Sequence, residues 1–409
     1  MLNRSEKNKS EIIGLCSKGK ITAKDAAQRL KLSVRQVENL KKKLREGISL
    51  LHGNCGRSSA KALAAETKQA ILEAYKQVSE LGAVNFTHFH EILQDKGVSV
   101  SYTAMRKVLL ADGKVSPKRR RKRKEKHETR ERRKKFGELL QTDATPYDWF
   151  GTGETYALHG HIDDACGMVT GLHLSKNECM DGYLEALRQT LTDFGTPEAL
   201  YADGLSIFFN KRKNEELTIE EELSGVYARK TQFGQICETL GVELIHARSS
   251  QAKGRVERLW ETLQSRLPIE FAMRGIKTLE AANTFLRDEF RSMFNARFGV
   301  NQDAKSCFVP LPENVSLDRL LCYKITRKLD SGGCFSLHGM RFKVGDNLAN
   351  CKITLLISNR LGVVCEHNDI LKKVLPMTFK NENIASTDSV DAILSRFVFR
   401  YCLKNEHVA

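Results

Sequence analysis

Three carboxylates stand where a protein could do phosphate chemistry. Asp143 lies in the apolar run GELLQTDATPY, Asp203 at the exit of PEALYADG, and Glu257 in the first turns of the helix-like stretch that follows HARSSQAKG. Both aspartates fall at or near strand ends, and the crevice beyond the strand ends is where open α/β sheets hold ligands. Carboxylates that converge repel one another unless cations neutralise them. Hard oxygen donors favour Mg²⁺, or Mn²⁺, over zinc. Two such ions about 3.5–4 Å apart would clamp the attacking and leaving oxygens of a phosphodiester.

The glutamate gains this reading from its helix. Val256, Leu259, Trp260, Leu263 and Leu267 form one apolar stripe that must pack on a sheet. Glu257 sits at the edge of that stripe, about 100° from Val256, and is expected to face the crevice. A surface glutamate that complements the helix dipole is the competing reading. Lys253 and Arg255 flank the turn and are expected to meet phosphates. Asp163 and Asp164, near a strand end, read as turn residues ahead of supports for the metal ligands, and Trp149 as hairpin packing ahead of a base-stacking ring. His159 and His161 share a strand face and lack a set of metal-binding partners.

The elements around these residues alternate. Three meander strands, a helix over 178–194, a short strand, a helix near 231–240, the strand VELIHAR and the Glu257 helix make a mixed sheet covered by helices. The expected division is 1–51 helix-turn-helix, 52–62 linker, 63–116 second helical unit, 117–136 basic linker, 137–300 catalytic domain, 301–317 linker, 318–385 small β-barrel and 386–409 tail.

In the first helical unit Thr22 and Ser33 are expected caps. Ala26, Ala27, Leu30, Val34, Val37 and Leu40 are expected inward. Arg35, Gln36, Asn39 and Lys43 then face outward, with the chemistry to reach base edges and phosphates. Arg57, in a Gly- and Ser-rich break, suits a minor groove. In the second unit Ser101 caps a helix carrying Arg106 and Lys107.

The chain of 409 residues has a formal net charge of +16. Residues 118–135, KRRRKRKEKHETRERRKK, alone carry +10, and include Arg119, Arg120, Arg121 and Arg123. Such a run suits a polyanion, because each neutralised phosphate releases condensed counterions. Eleven cysteines without a C-x-x-C pair argue against a zinc ribbon and a secreted disulfide framework. The sequence has no run of roughly 20 apolar residues of the kind that spans a bilayer, so no membrane partner is expected.

QTD at 141–143, YADG at 201–204 and SSQAKGRVERLWETLQSRL at 249–267 resemble the three signature blocks of DDE transposases and retroviral-type integrases. The third block is similar to that of the ISNCY group of bacterial insertion sequences. The resemblance implies an RNase H-like catalytic core and a catalytic, metal-holding triad of Asp143, Asp203 and Glu257 with two Mg²⁺ ions. It also implies cleavage of transposon ends and attack of a 3′-hydroxyl on target DNA. The partners it implies are double-stranded terminal repeats, target DNA and further copies of the chain, in the bacterial cytoplasm at the nucleoid. Fifty-three residues separate Asp203 from Glu257, more than in retroviral-type integrases, and the excess falls at about 211–230. A non-catalytic DNA-binding regulator derived from a transposase is the alternative. A tyrosine recombinase is disfavoured, since the H-x-x-R from His127 to Arg130 lies in the basic linker.

Overall fold

The computed structural model describes residues 4–50, 63–117, 131–210, 230–247, 253–300, 303–337, 340–344, 348–358, 360–368 and 370–376. Arg57, Arg119, Arg120, Arg121, Arg123 and most of the insert at 211–230 lie outside them. The chain divides into two compact units, Met1–Gln69 and Ala70–Ala409.

The first unit holds α1 (Arg4–Ser17), α2 (Ala23–Leu30) and α3 (Val34–Arg45). Both caps are reciprocal. Thr22 Oγ1 accepts from Asp25 N at 3.1 Å while Asp25 accepts from Thr22 N, and Ser33 with Gln36 does the same before α3. Each box satisfies two amide donors that a helix start leaves orphaned. Ile13, Cys16, Ala26, Ala27 and Val37 form the core, with Leu30 and Leu40 against it. Val34 departs from expectation: it is 43% exposed. As the first helical residue its side chain leans back toward the helix start, beyond the core that Val37 enters one turn later. Arg35, Gln36, Asn39 and Lys43 are all exposed.

In the second unit, Ile71, Tyr75 and Val78 of α4 (Ala65–Glu80) are buried. Helix α5 (Phe86–Asp95) is capped by Asn85 and α6 (Tyr102–Ala111) by Ser101; Arg106 and Lys107 are exposed. The sheet follows, with β1 (Leu140–Tyr147), β2 (Tyr156–Asp163) and β3 (Val169–Ser175) antiparallel. After α7 (Met180–Asp193), β4 (Ala199–Ala202) pairs parallel to β1, and after α8 (Gln232–Leu240), β5 (Glu243–His246) pairs parallel to β4. The order is β3-β2-β1-β4-β5. The mixed α/β architecture is the one expected.

Both sheet faces are covered. Leu140 and Leu200 pack with Tyr183, Leu184, Leu187 and Leu191 of α7 and Phe233 and Ile236 of α8. Leu158, Ile162 and Leu172 pack with Val256, Leu259, Trp260 and Leu263 of α9 (Gly254–Gln264). Aromatic residues of α10 (Leu267–Arg274), α11 (Leu279–Phe285), a π turn and α12 (Arg291–Phe298) extend that layer. Glu91 of α5 receives both Arg266, at the start of α10, and Arg297 of α12, and His88 meets Glu270 at 2.7 Å, so polar contacts tie α5 to α10 and α12.

After α13 (Leu317–Leu320), six antiparallel strands follow: β6 (Tyr323–Lys328), β7 (Cys334–Leu337), β8 (Met340–Val344), β9 (Lys352–Ser358), β10 (Gly362–His367) and β11 (Ile370–Pro376). Their order is β6-β9-β10-β11-β8-β7. Among the described residues this is an open ladder ending at β6 and β7, in the stretch where a small, open β-barrel or sandwich was expected. Closure is not needed to bury its apolar face, because Tyr323, Ile325, Phe335, Ile353 and Leu355 join the same core as α7 and α8. Among the described residues no helix is long and apolar enough to cross a membrane.

Candidate active site

Strand register brings the two aspartates together. Gln141 of β1 pairs with Tyr201 of β4 in parallel. Two residues further along, Asp143 and Asp203 therefore reach the same level on neighbouring strands, with the same sense. Asp143 carries on within β1, and Asp203 follows immediately after β4.

One ammonium group serves both. Lys253 Nζ lies 2.7 Å from Asp143 Oδ1 and 3.8 Å from Asp203 Oδ2. The other oxygen of each carboxylate has a fixed donor. Trp260 Nε1 donates to Asp143 Oδ2 at 2.9 Å, and Leu205 N to Asp203 Oδ1 at 3.2 Å. The indole reaches Asp143 because Gly160, directly across from it on β2, has no side chain. A Cβ there would stand 2.9 Å from the Trp260 ring.

Glu257 shares the face of α9 that carries these donors. Lys253, Glu257, Trp260 and Gln264 recur at spacings of four, three and four, one side of a helix. Gln264 Nε2 donates to Thr145 Oγ1 at 3.1 Å, two residues past Asp143. Glu257 itself is exposed, and among the described residues no three His, Cys, Asp or Glu side chains are gathered closely enough to hold a metal ion. The structure thus joins two of the three expected site residues and places the third on the helix that touches them.

The position of α9 is set by Asp164. This carboxylate is fully buried and accepts from Gln141 Nε2 at 3.0 Å, Arg133 N at 2.9 Å and Arg255 Nε at 2.5 Å. Gln141 in turn accepts from Val256 N at 3.2 Å. Arg255 is therefore engaged in an ion pair, and Lys253 is buried between carboxylates, so neither stands open to a phosphate in this state. Asp164 lies in the turn that follows β2 and Asp163 at the strand end before it, as expected, with both carboxylates fully buried. Asp163 is fully buried and accepts from Gly137 N and Cys166 N, at 2.9 and 2.8 Å. Trp149 is fully buried and donates to Tyr156 O, as hairpin packing requires.

Sequence reasoning missed Glu178. Burial raises its carboxyl above the ordinary range; the Tyr183 hydroxyl, 2.5 Å away, opposes that, and Asp143 and Asp203 raise it further. It therefore lies in the field of the aspartate pair. In SKNECMDG it looks like a solvated charge before a helix, and nothing local separates it from one. The Trp260 contact did leave a signal: a buried indole N–H needs an acceptor.

His159 and His161 on β2 are fully buried, and burial lowers them to about 3 and about 4. Both are neutral in the folded chain, while unfolded histidine titrates near 6.5. Their stabilising effect is complete above that value and is lost as pH falls below it. Denaturant unfolding should therefore weaken by about 2–3 kcal/mol per pH unit between 6 and 5. A flat profile there would contradict neutral burial of the pair.

The chain is 34% identical over 373 residues to the transposase for insertion sequence IS1202 of Streptococcus pneumoniae, covering 83% of this chain and 77% of that protein. It is 31% identical over 344 residues to y4bF of Sinorhizobium fredii, designated a transposase, covering 82% and 72%. The chain belongs to the insertion-sequence transposases. No family model matches it. Among solved structures it is similar to the HTLV-2 integrase catalytic core domain in complex with magnesium, with 19% identity and TM-score 0.28, covering 42% of this chain and 93% of that one. A simian T-cell lymphotropic virus intasome in complex with a PP2A regulatory subunit gives 16% identity and TM-score 0.32, covering 68% and 92%.

Proposed function

We propose that this transposase binds the terminal inverted repeats of an insertion sequence, cleaves the ends and joins their 3′-hydroxyls to target DNA. The observation that carries this is the placement of Asp143 and Asp203 at one level on adjacent parallel strands, sharing a single cation. The sheet order and the covering helices support an RNase H-like core.

The residues fit a hard divalent cation. Two carboxylates already hold a positive group between them, each with its second oxygen fixed by a donor, and the set is all oxygen. Asp143, Asp203 and Glu257 would hold Mg²⁺ or Mn²⁺, two ions per site, supplying activation of the attacking oxygen and stabilisation of the leaving one. The chain's own work is to position. Trp260 and Leu205 N orient the aspartates, Asp164 fixes α9, and Glu257 swings in from the exposed face. Arg35, Gln36, Asn39 and Lys43 read one segment of the repeat, and Arg106 and Lys107 a second. Arg57 enters a minor groove, and the basic run with Arg119, Arg120, Arg121 and Arg123 tracks phosphates. Joining two ends calls for at least two copies of the chain.

The test mixes purified protein, labelled terminal-repeat DNA and Mg²⁺. Nicked ends and joined products are expected. Binding without either product would favour the non-catalytic regulator.

A further inference from the structure

Lys253 is 7% exposed, an unusual state for lysine, which is almost never fully buried without a partner. Its partners are the two aspartates read above as metal ligands, and the inference rests on that reading. A buried ammonium and a divalent cation cannot share the same pair of oxygens, because their repulsion is strong at such distances out of water. Lys253 occupies the N-cap position of α9 without making a side-chain cap bond, so its flexible four-carbon stem is committed to nothing else. Each aspartate meets Lys253 with one oxygen while its other oxygen is held by Trp260 Nε1 or Leu205 N. Withdrawal of the lysine would leave both carboxylates oriented.

We propose that Lys253 is a built-in counter-cation. It holds Asp143 and Asp203 together in the metal-free protein and leaves them when a divalent cation binds, so metal affinity is set by competition with this side chain. The repulsion within the metal-free aspartate pair is thereby reduced, and the released ammonium is delivered beside the crevice that receives DNA.

Calorimetric titration of the full chain with Mn²⁺ tests this in wild type, Lys253→Met and Asp143→Asn. Wild type should bind, Asp143→Asn should lose that binding, and Lys253→Met should bind about tenfold tighter or more. Unchanged or weaker binding in Lys253→Met, with the Asp143 dependence intact, would overturn the competition and leave the metal site standing. Absence of Asp143-dependent binding in wild type would overturn both. A second readout needs no variant: acetylation of Lys253 in wild type, followed by mass spectrometry, should rise when Mn²⁺ is added. Equal protection with and without Mn²⁺ bound would rule the displacement out.

Discussion

Glu257→Gln is expected to lower strand transfer on the order of a thousandfold or more, equivalent to about 4 kcal/mol of transition-state stabilisation. DNA binding should survive, and stability should stay within about 0.5 kcal/mol, as for surface substitutions generally. Glu257 is exposed, and the substitution keeps its shape while removing its charge. Loss of activity would therefore report chemistry, not folding. Its helix position motivates the size of the effect: Lys253 and Trp260, four residues before and three after on the same face, both bind Asp143. Full activity in this variant would return Glu257 to the role of a dipole-complementing surface residue. The third donor would then be sought elsewhere, with Glu178 already in the field of the aspartate pair.

Asp164→Ala should produce the largest loss of stability at a polar position, about 3–5 kcal/mol, because it strands a charged partner in a buried network. Three donors lose their acceptor at once: the Gln141 amide, the Arg133 backbone and the Arg255 guanidinium. These join β1, the end of the basic linker and α9, so the damage reaches the catalytic helix. Denaturant unfolding reads the effect. A loss below about 1 kcal/mol, the usual worth of a single exchanged hydrogen bond, would mean that packing alone holds α9 in place.

Much of this architecture was legible because its signals are local and periodic. The stripe Val256, Leu259, Trp260, Leu263 gave α9 and its buried face, and Thr22 and Ser33 announced two helix starts through reciprocal caps. Asp143 and Asp203 could be placed near strand ends, but their common level depends on parallel register between β1 and β4, which no local pattern encodes. Lys253 and Arg255 looked like open phosphate contacts because a basic residue beside a glycine turn carries no mark of its partner. Those partners, Asp143 and Asp164, lie 110 and 91 residues away. Alternation alone gave the C-terminal strands as a small, open β-barrel or sandwich. It specifies which face is apolar but not whether the ladder closes or packs on a neighbouring layer, and here it packs.

The central claim is that the aspartate pair is a catalytic metal centre. The most direct test measures joined product from labelled terminal-repeat DNA with Mg²⁺ for wild type, Asp143→Asn and Asp203→Asn, with DNA binding followed in parallel. The expected result is joined product from wild type and none from either variant, at equal binding. Joined product from either variant at a rate near wild type would contradict the account.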